Sequence, residues 1–132
     1  MIRLREVLEV ALYHDAADGP AMASFYEEAL GLRKVAGWPD GRALRLGRAV
    51  VLLFEREGLA EREGPIADHG ATGPGHVCLT VRPDDYEDGK ASVAAQAEIV
   101  HEHEWADGRR SFYFHDPAGN LIEVADGDLW PD

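Results

Sequence analysis

A four-residue string near the start of the chain, Glu9-Val10-Ala11-Leu12, returns 67 positions later as His76-Val77-Cys78-Leu79. That spacing is close to half of the 132 residues, so the chain reads as one supersecondary unit used twice. Both strings open on a residue type able to bind a metal or move a proton, Glu9 in one copy and His76 in the other. A duplicated strand with such a side chain at the same inward point in each copy is a way to build a shared site.

The pattern between the two strings supports the duplication. Residues 6–14 alternate as a strand, with Val7, Glu9, Ala11 and Tyr13 on one side and Leu8, Val10, Leu12 and His14 on the other. Gly19-Pro20 opens a helix whose apolar stripe is Met22, Phe25, Tyr26, Ala29 and Leu30, and Gly31 is placed to cap it. Extended segments follow near 32–38, 42–46 and 48–55, separated by Pro39-Asp40-Gly41 and Gly47. Residues 56–74 are charged and glycine-rich without a period of their own, which predicts a linker or a long loop, a common form of lid. The second copy then predicts a strand over 75–81 and a helix from Asp84 or Asp85 to about Ala97, weakened by Gly89. Its last strands lie near 98–104, 110–115 and 120–125. Asp116-Pro117-Ala118-Gly119 makes the final hairpin turn. The fold class is α+β: two β-α-β-β-β modules, about 6–56 and 75–126, in one domain spanning 1–132, with a loop over 57–74.

Composition narrows the functions. With 13 basic and 25 acidic residues and a net charge of −12, the chain lacks the basic patch that nucleic-acid binding needs. An acidic surface favours cationic or metal-bearing ligands over free anions. The single Cys78 excludes an intrachain disulfide and fits a reducing cytoplasm; its apolar strand predicts a small buried hydrophobe. The first six residues lack the apolar core of a signal peptide, and no apolar run approaches a membrane span. A cytoplasmic protein is expected.

Glu123 is the residue hardest to dismiss. It lies between Ile122 and Val124, and burying its charge would cost several kcal/mol unless it is paired or metal-bound. The competing arrangement is an edge strand with Glu123 facing water. With the copies in register, the first module has Leu52 at the corresponding place. His101, Glu102, His103 and Glu104 read as an alternating strand with one polar face; His14, His69 and His115 read as surface residues. Trp38, Trp105, Trp130, Tyr13, Tyr113 and Phe54 could line an aromatic cavity, although isolated aromatics in strands usually belong to the core.

The doubled order, Phe25-Tyr26-Glu27-Glu28-Ala29-Leu30-Gly31-Leu32, Gly75-His76-Val77, and Phe114-His115-Asp116-Pro117-Ala118-Gly119-Asn120-Leu121-Ile122-Glu123 together resemble the vicinal oxygen chelate superfamily of glyoxalases, bleomycin-resistance proteins and extradiol dioxygenases. The resemblance covers nearly the whole chain. It implies a cupped, partly closed mixed sheet and metal ligands at Glu9, Leu52, His76 and Glu123. Leu52 cannot ligate, which counts against the four-ligand glyoxalase I pattern. Three-ligand members carry His, His and Glu where this chain has Glu9, His76 and Glu123. The extra carboxylate makes the set harder and suits a divalent ion such as Mn, Fe, Zn or Ni. Tyr113 stands where extradiol dioxygenases have an acid/base tyrosine, and with Glu123 it is the expected catalytic pair. A pocket-wall tyrosine is the plainer reading of the same position. The resemblance thus implies a metal-dependent enzyme acting on a small-molecule substrate with neighbouring oxygens. The alternative it carries is a metal-free protein sequestering a cationic drug. A phosphonate-directed thiol transferase fits less well, because Asp126 and Asp128 follow Glu123 where cations would be needed. A homodimer, with modules paired within a chain or exchanged between chains, is also implied, with neither a nucleic-acid nor a membrane partner.

Overall fold

The computed structural model describes residues 1–3, 5–67 and 69–130. These fall into two compact units, Met1–Thr72 and Gly73–Asp132.

In the first unit, β1 (Glu9–His14), β2 (Arg33–Trp38), β3 (Gly41–Leu46) and β4 (Ala49–Glu55) form one sheet in the order β1-β4-β3-β2. β1 runs parallel to β4, with Glu9 opposite Val50 and Ala11 opposite Leu52, and the other pairings are antiparallel. The strand begins at Glu9 rather than near residue 6, and Val7 and Leu8 ahead of it are exposed. Pro20 starts helix α1 (Gly19–Ser24), as its fixed φ favours. The helix then widens into a π turn over Phe25–Ala29, where the Leu30 N–H reaches the Phe25 carbonyl at 3.0 Å. Gly31 takes φ +73°, the left-handed closing residue that the sequence predicts. Met22 and Tyr26 join Leu12, Leu44, Val51 and Leu53 in a core on one face of the sheet. The segment after β4 is not irregular throughout, since it opens with one helical turn, α2 (Arg56–Ala60), anchored by buried Leu59.

The second unit repeats the plan with β5 (His76–Thr80), β6 (His101–Glu104), β7 (Arg110–His115) and β8 (Leu121–Ala125) in the order β5-β8-β7-β6, and β5 is parallel to β8. Its helix α3 (Tyr86–Ala94) is shorter at both ends than the predicted 84–97, because Pro83–Asp85 form a 3-10 turn first. Tyr86, Val93, Phe112, Phe114, Ile122 and Val124 make the core on the helix side. The two sheets are therefore open, four-stranded and built alike. Among the described residues, no helix is long and apolar enough to cross a membrane.

Candidate functional site

The face of the second sheet opposite its core carries a cluster of ionisable side chains. Alternation along β8 sends Ile122 and Val124 toward the helix and Glu123 the other way. β8 is interior, flanked by β5 and β7, so Glu123 is not on an edge; it is only 7% exposed. A carboxylate at that depth needs partners, and it has them. The Tyr113 hydroxyl donates to Oε1 at 2.8 Å, and His76 Nε2 lies 3.4 Å from Oε2.

The turn that the sequence marks also positions His76. Asp116 Oδ1 accepts from the N–H groups of Ala118 and Asn120, both at 2.9 Å, and Oδ2 accepts from Asn120 Nδ2 at 2.8 Å. Buried Asn120 then turns its Oδ1 to the Gly75 N–H at 2.8 Å, fastening the residue before His76 to the residue before Leu121. His76 Nδ1 contacts the Leu121 carbonyl at 2.8 Å. A carbonyl can only accept, so Nδ1 carries a hydrogen, and Nε2 is the ring nitrogen left facing the Glu123 carboxylate. Two acceptors facing each other at 3.4 Å call for a cation between them, either a proton on Nε2 or a metal ion. A ring nitrogen fixed through its other N–H on a backbone carbonyl, beside a carboxylate, is a donor set suited to a divalent ion. Asp116 and Asn120 escape sequence reasoning as positioning residues. Their type and spacing mark a turn, and only the pairing of β5 with β8 reveals what the turn holds.

Around this pair, one row crosses all four strands: Cys78 opposite Glu123, Glu123 opposite Tyr113, and Tyr113 opposite His101. Burial and then the hydrogen bond to Glu123 push the Tyr113 hydroxyl up to about 12, so it keeps its proton at neutral pH. Cys78 corrects the expectation of a buried hydrophobe, because β5 is an edge strand and Cys78 lies exposed on the same face as His76. Its sulfur nonetheless sits beside Glu123; lost hydration and then the carboxylate charge push its pKa up to about 12. His101 and His103 share this face, their rings 6.0 Å apart, while Glu102 turns to the helix side and takes Lys90 Nζ at 2.8 Å and the Tyr86 hydroxyl at 3.2 Å. β6 thus has two polar faces instead of the expected one.

In the first unit, Glu9 is exposed at the head of β1, and Leu52 faces Ala11 and Ala43 across its neighbours. The same face carries an aromatic run, Tyr13 to Phe54 at 6.4 Å and Phe54 to Trp38 at 6.0 Å. Gly41 lets that run form: a Cβ there would sit 2.7 Å from Phe54 Cδ1 and 2.6 Å from the Leu53 carbonyl. Arg62 lies 5.4 Å over the Phe54 ring and is held by Asp40, whose carboxyl the guanidinium lowers below its usual range. His69, expected at the surface, is exposed but bonded through Nδ1 to the Tyr13 hydroxyl at 2.7 Å. His14 corrects the same expectation more strongly, since it is 5% exposed at the end of β1. His115 is exposed as expected. Trp105 and Tyr113 belong to the second unit, and Trp130 there is largely exposed. Among the described residues, no group of three or more His, Cys, Asp or Glu side chains is arranged to hold a metal ion.

Two open β-α-β-β-β sheets, one bearing a histidine–glutamate pair, define a class, and comparison with known proteins agrees. Residues 16–124 match the model of the Glyoxalase/Bleomycin resistance protein/Dioxygenase superfamily, and the chain belongs to that family. Among solved structures it is similar to lactoylglutathione lyase from Agrobacterium tumefaciens, at 34% identity over 97% of this chain and 98% of that one, with a TM-score of 0.88. It is also similar to an integron cassette protein from the mobile metagenome of V. pseudocholerae, at 30% identity over 95% and 96% of the two chains and a TM-score of 0.73. A V. cholerae cassette protein follows at 29% identity over 95% and 97%, with a TM-score of 0.72. No curated protein matches.

Proposed function

We propose that the protein is a divalent-metal-dependent enzyme of the glyoxalase/dioxygenase type, with His76 and Glu123 as ligands. The observation that carries this reading is His76 Nε2 facing the Glu123 carboxylate at 3.4 Å, with the other ring nitrogen already committed to a carbonyl. Bound there, an ion such as Mn, Fe, Zn or Ni would polarise two neighbouring oxygens of a small substrate. The chain's own residues supply the rest. Tyr113 holds a proton at Oη, 2.8 Å from Glu123 Oε1, which it can give to or take back from that carboxylate. A homodimer in the cytoplasm is part of the proposal.

The similarity to a lactoylglutathione lyase makes lactoylglutathione the first substrate to assay. Leu52 sets this chain apart from a four-ligand site. The test is elemental analysis of the purified protein after incubation with Mn²⁺, Fe²⁺, Ni²⁺ and Zn²⁺, beside Glu123→Ala. Near-stoichiometric metal in the wild type and its loss in Glu123→Ala support the reading, and equally low metal in both removes it. The aromatic run Tyr13–Phe54–Trp38 on an acidic protein favours a second reading, stoichiometric capture of a cationic drug. That reading requires tight saturation by a bleomycin-like cation in the presence of a chelator.

A further inference from the structure

The opposite, helix-side face of the first sheet holds a cavity that the proposed chemistry does not use. It has a volume of 340 Å³ and is lined by His14, Glu55, Arg42, Met22, Leu53 and Trp38, among others. His14 and Glu55 are register partners at the ends of β1 and β4, where the apolar run of Leu12 and Leu53 gives way to polar side chains. His14 Nδ1 is 2.8 Å from the Asp15 carbonyl, so that nitrogen carries the hydrogen and Nε2 is the acceptor. Nε2 has no hydrogen-bond partner among the described residues. Because no fully buried side-chain nitrogen or oxygen among them lacks a partner, the Nε2 of this 5%-exposed histidine keeps some contact with solvent, and His14 lines the cavity.

The charges around the cavity do not cancel. Asp40 is held by Arg62, and Arg42 donates to Glu27 at 2.6 Å, so each of those charges is answered. The Glu55 carboxylate forms no ion pair or hydrogen bond among the described residues. The cavity therefore offers two acceptors, an imidazole lone pair and a carboxylate, beside the exposed rings of Pro20 and Pro39. A volume of this size suits a small organic molecule.

We infer that this cavity is a second ligand site, for a small primary ammonium compound with an apolar body. Its N–H groups would donate to His14 Nε2 and Glu55, and its apolar part would lie on Pro20 and Pro39. The site stands on residues and a sheet face separate from His76 and Glu123, so it holds or fails independently of the metal reading.

Benzylamine is the probe, with benzyl alcohol as its uncharged analogue and benzoate as its anionic one. Titrations are followed by calorimetry and by the ¹⁵N resonance of His14 Nε2. The expected result is saturable one-to-one binding of benzylamine that moves the His14 resonance. Glu55→Gln, a partly exposed change that leaves the core intact, should weaken binding about tenfold, as loss of one charge-assisted contact does. Glu123→Gln should leave it unchanged. Absence of saturation, benzoate binding as tightly as benzylamine, or an unaltered Glu55→Gln would overturn the inference.

Discussion

Across the four strands of the first sheet, the row through Leu52 reads Ala11, Leu52, Ala43 and Ala36; across the second, the row through Glu123 reads Cys78, Glu123, Tyr113 and His101. The backbones that carry these rows correspond down to single hydrogen bonds. The Val50 N–H reaches the Leu8 carbonyl at 2.9 Å, and its counterpart from Leu121 reaches Gly75 at the same distance. What differs is the fastening. Counted between the equivalent pairs Arg45–Val50 and His115–Leu121, the connection before β8 is one residue longer than the one before β4, and it carries the Asp116–Asn120 lock where the first unit has only Ala49. One copy has kept the architecture and filled the row with small apolar side chains. The other has spent a buried carboxylate and an asparagine on holding a histidine in place.

Exchanging the two rows tests that contrast most severely. Leu52→Glu puts a carboxylate among Ala11 and Ala43 with no tyrosine or histidine to receive it, and should cost about 3 kcal/mol in urea unfolding. The reciprocal Glu123→Leu should leave stability within about 1 kcal/mol of wild type, because an apolar isostere also removes the need for pairing. On the proposed metal reading, it should nevertheless abolish metal retention. Equal effects in the two directions would mean that the copies do not differ as described. Asn120→Ala comes next. It frees the Gly75 N–H and loosens Asp116, so about 2 kcal/mol of stability should be lost. Metal affinity measured by competition with a chelator should fall roughly tenfold or more, as expected when the support behind a ligand is cut.

The polar row should also show itself in alkali, in chelator-treated protein. Cys78 and Tyr113 both hold their protons more tightly in the folded chain than their ordinary values of 9.0 and 10.0, each being pushed to about 12. Their contribution to stability is therefore complete below about pH 9 and is withdrawn as the pH climbs toward 12. Unfolding followed from pH 8 to 11 should decline, and Cys78→Ser combined with Tyr113→Phe should flatten that decline. The same arrangement predicts an exposed yet sluggish thiol. At pH 8 its rate with a disulfide reagent should rise roughly threefold or more in Glu123→Gln, because the carboxylate no longer opposes the thiolate. An unchanged rate would separate Cys78 from Glu123.

The part of this molecule legible in sequence is the part governed by local periodicity and turn chemistry. The doubled strand string, the Pro20 start and Gly31 stop of α1, and the Asp116–Gly119 turn each have a local physical cause, and each element lies where it was expected to within a few residues. The equivalence of Leu52 and Glu123 was legible for the same reason, since strand alternation fixes phase. Burial was harder to read. Cys78 has apolar neighbours in sequence, but it lies on an edge strand and on the side away from the helix; His14 ends its strand, yet α1 and the Gly19 turn close over it. The Asn120 bond to Gly75 spans 45 residues, and no local pattern predicts it.

The weakest expected effect sharpens the comparison of the two fastenings. Where the second unit uses a buried amide, the first unit has an ion pair between Arg48 and Glu6 at 3.0 Å, with the side chains 75% and 42% exposed. Both contacts join the segment just before the first strand of a unit to the turn before its last strand. Water competes for each charge of the exposed pair, and two long side chains must be ordered to form it, so such pairs contribute about 0–1 kcal/mol. Arg48→Ala should therefore shift the urea midpoint hardly at all, and the shift should vanish in high salt, while the Asn120→Ala deficit should persist there. If Arg48→Ala instead cost as much as Asn120→Ala, exposure would not be what separates the two fastenings, and the first unit would be held as firmly as the second.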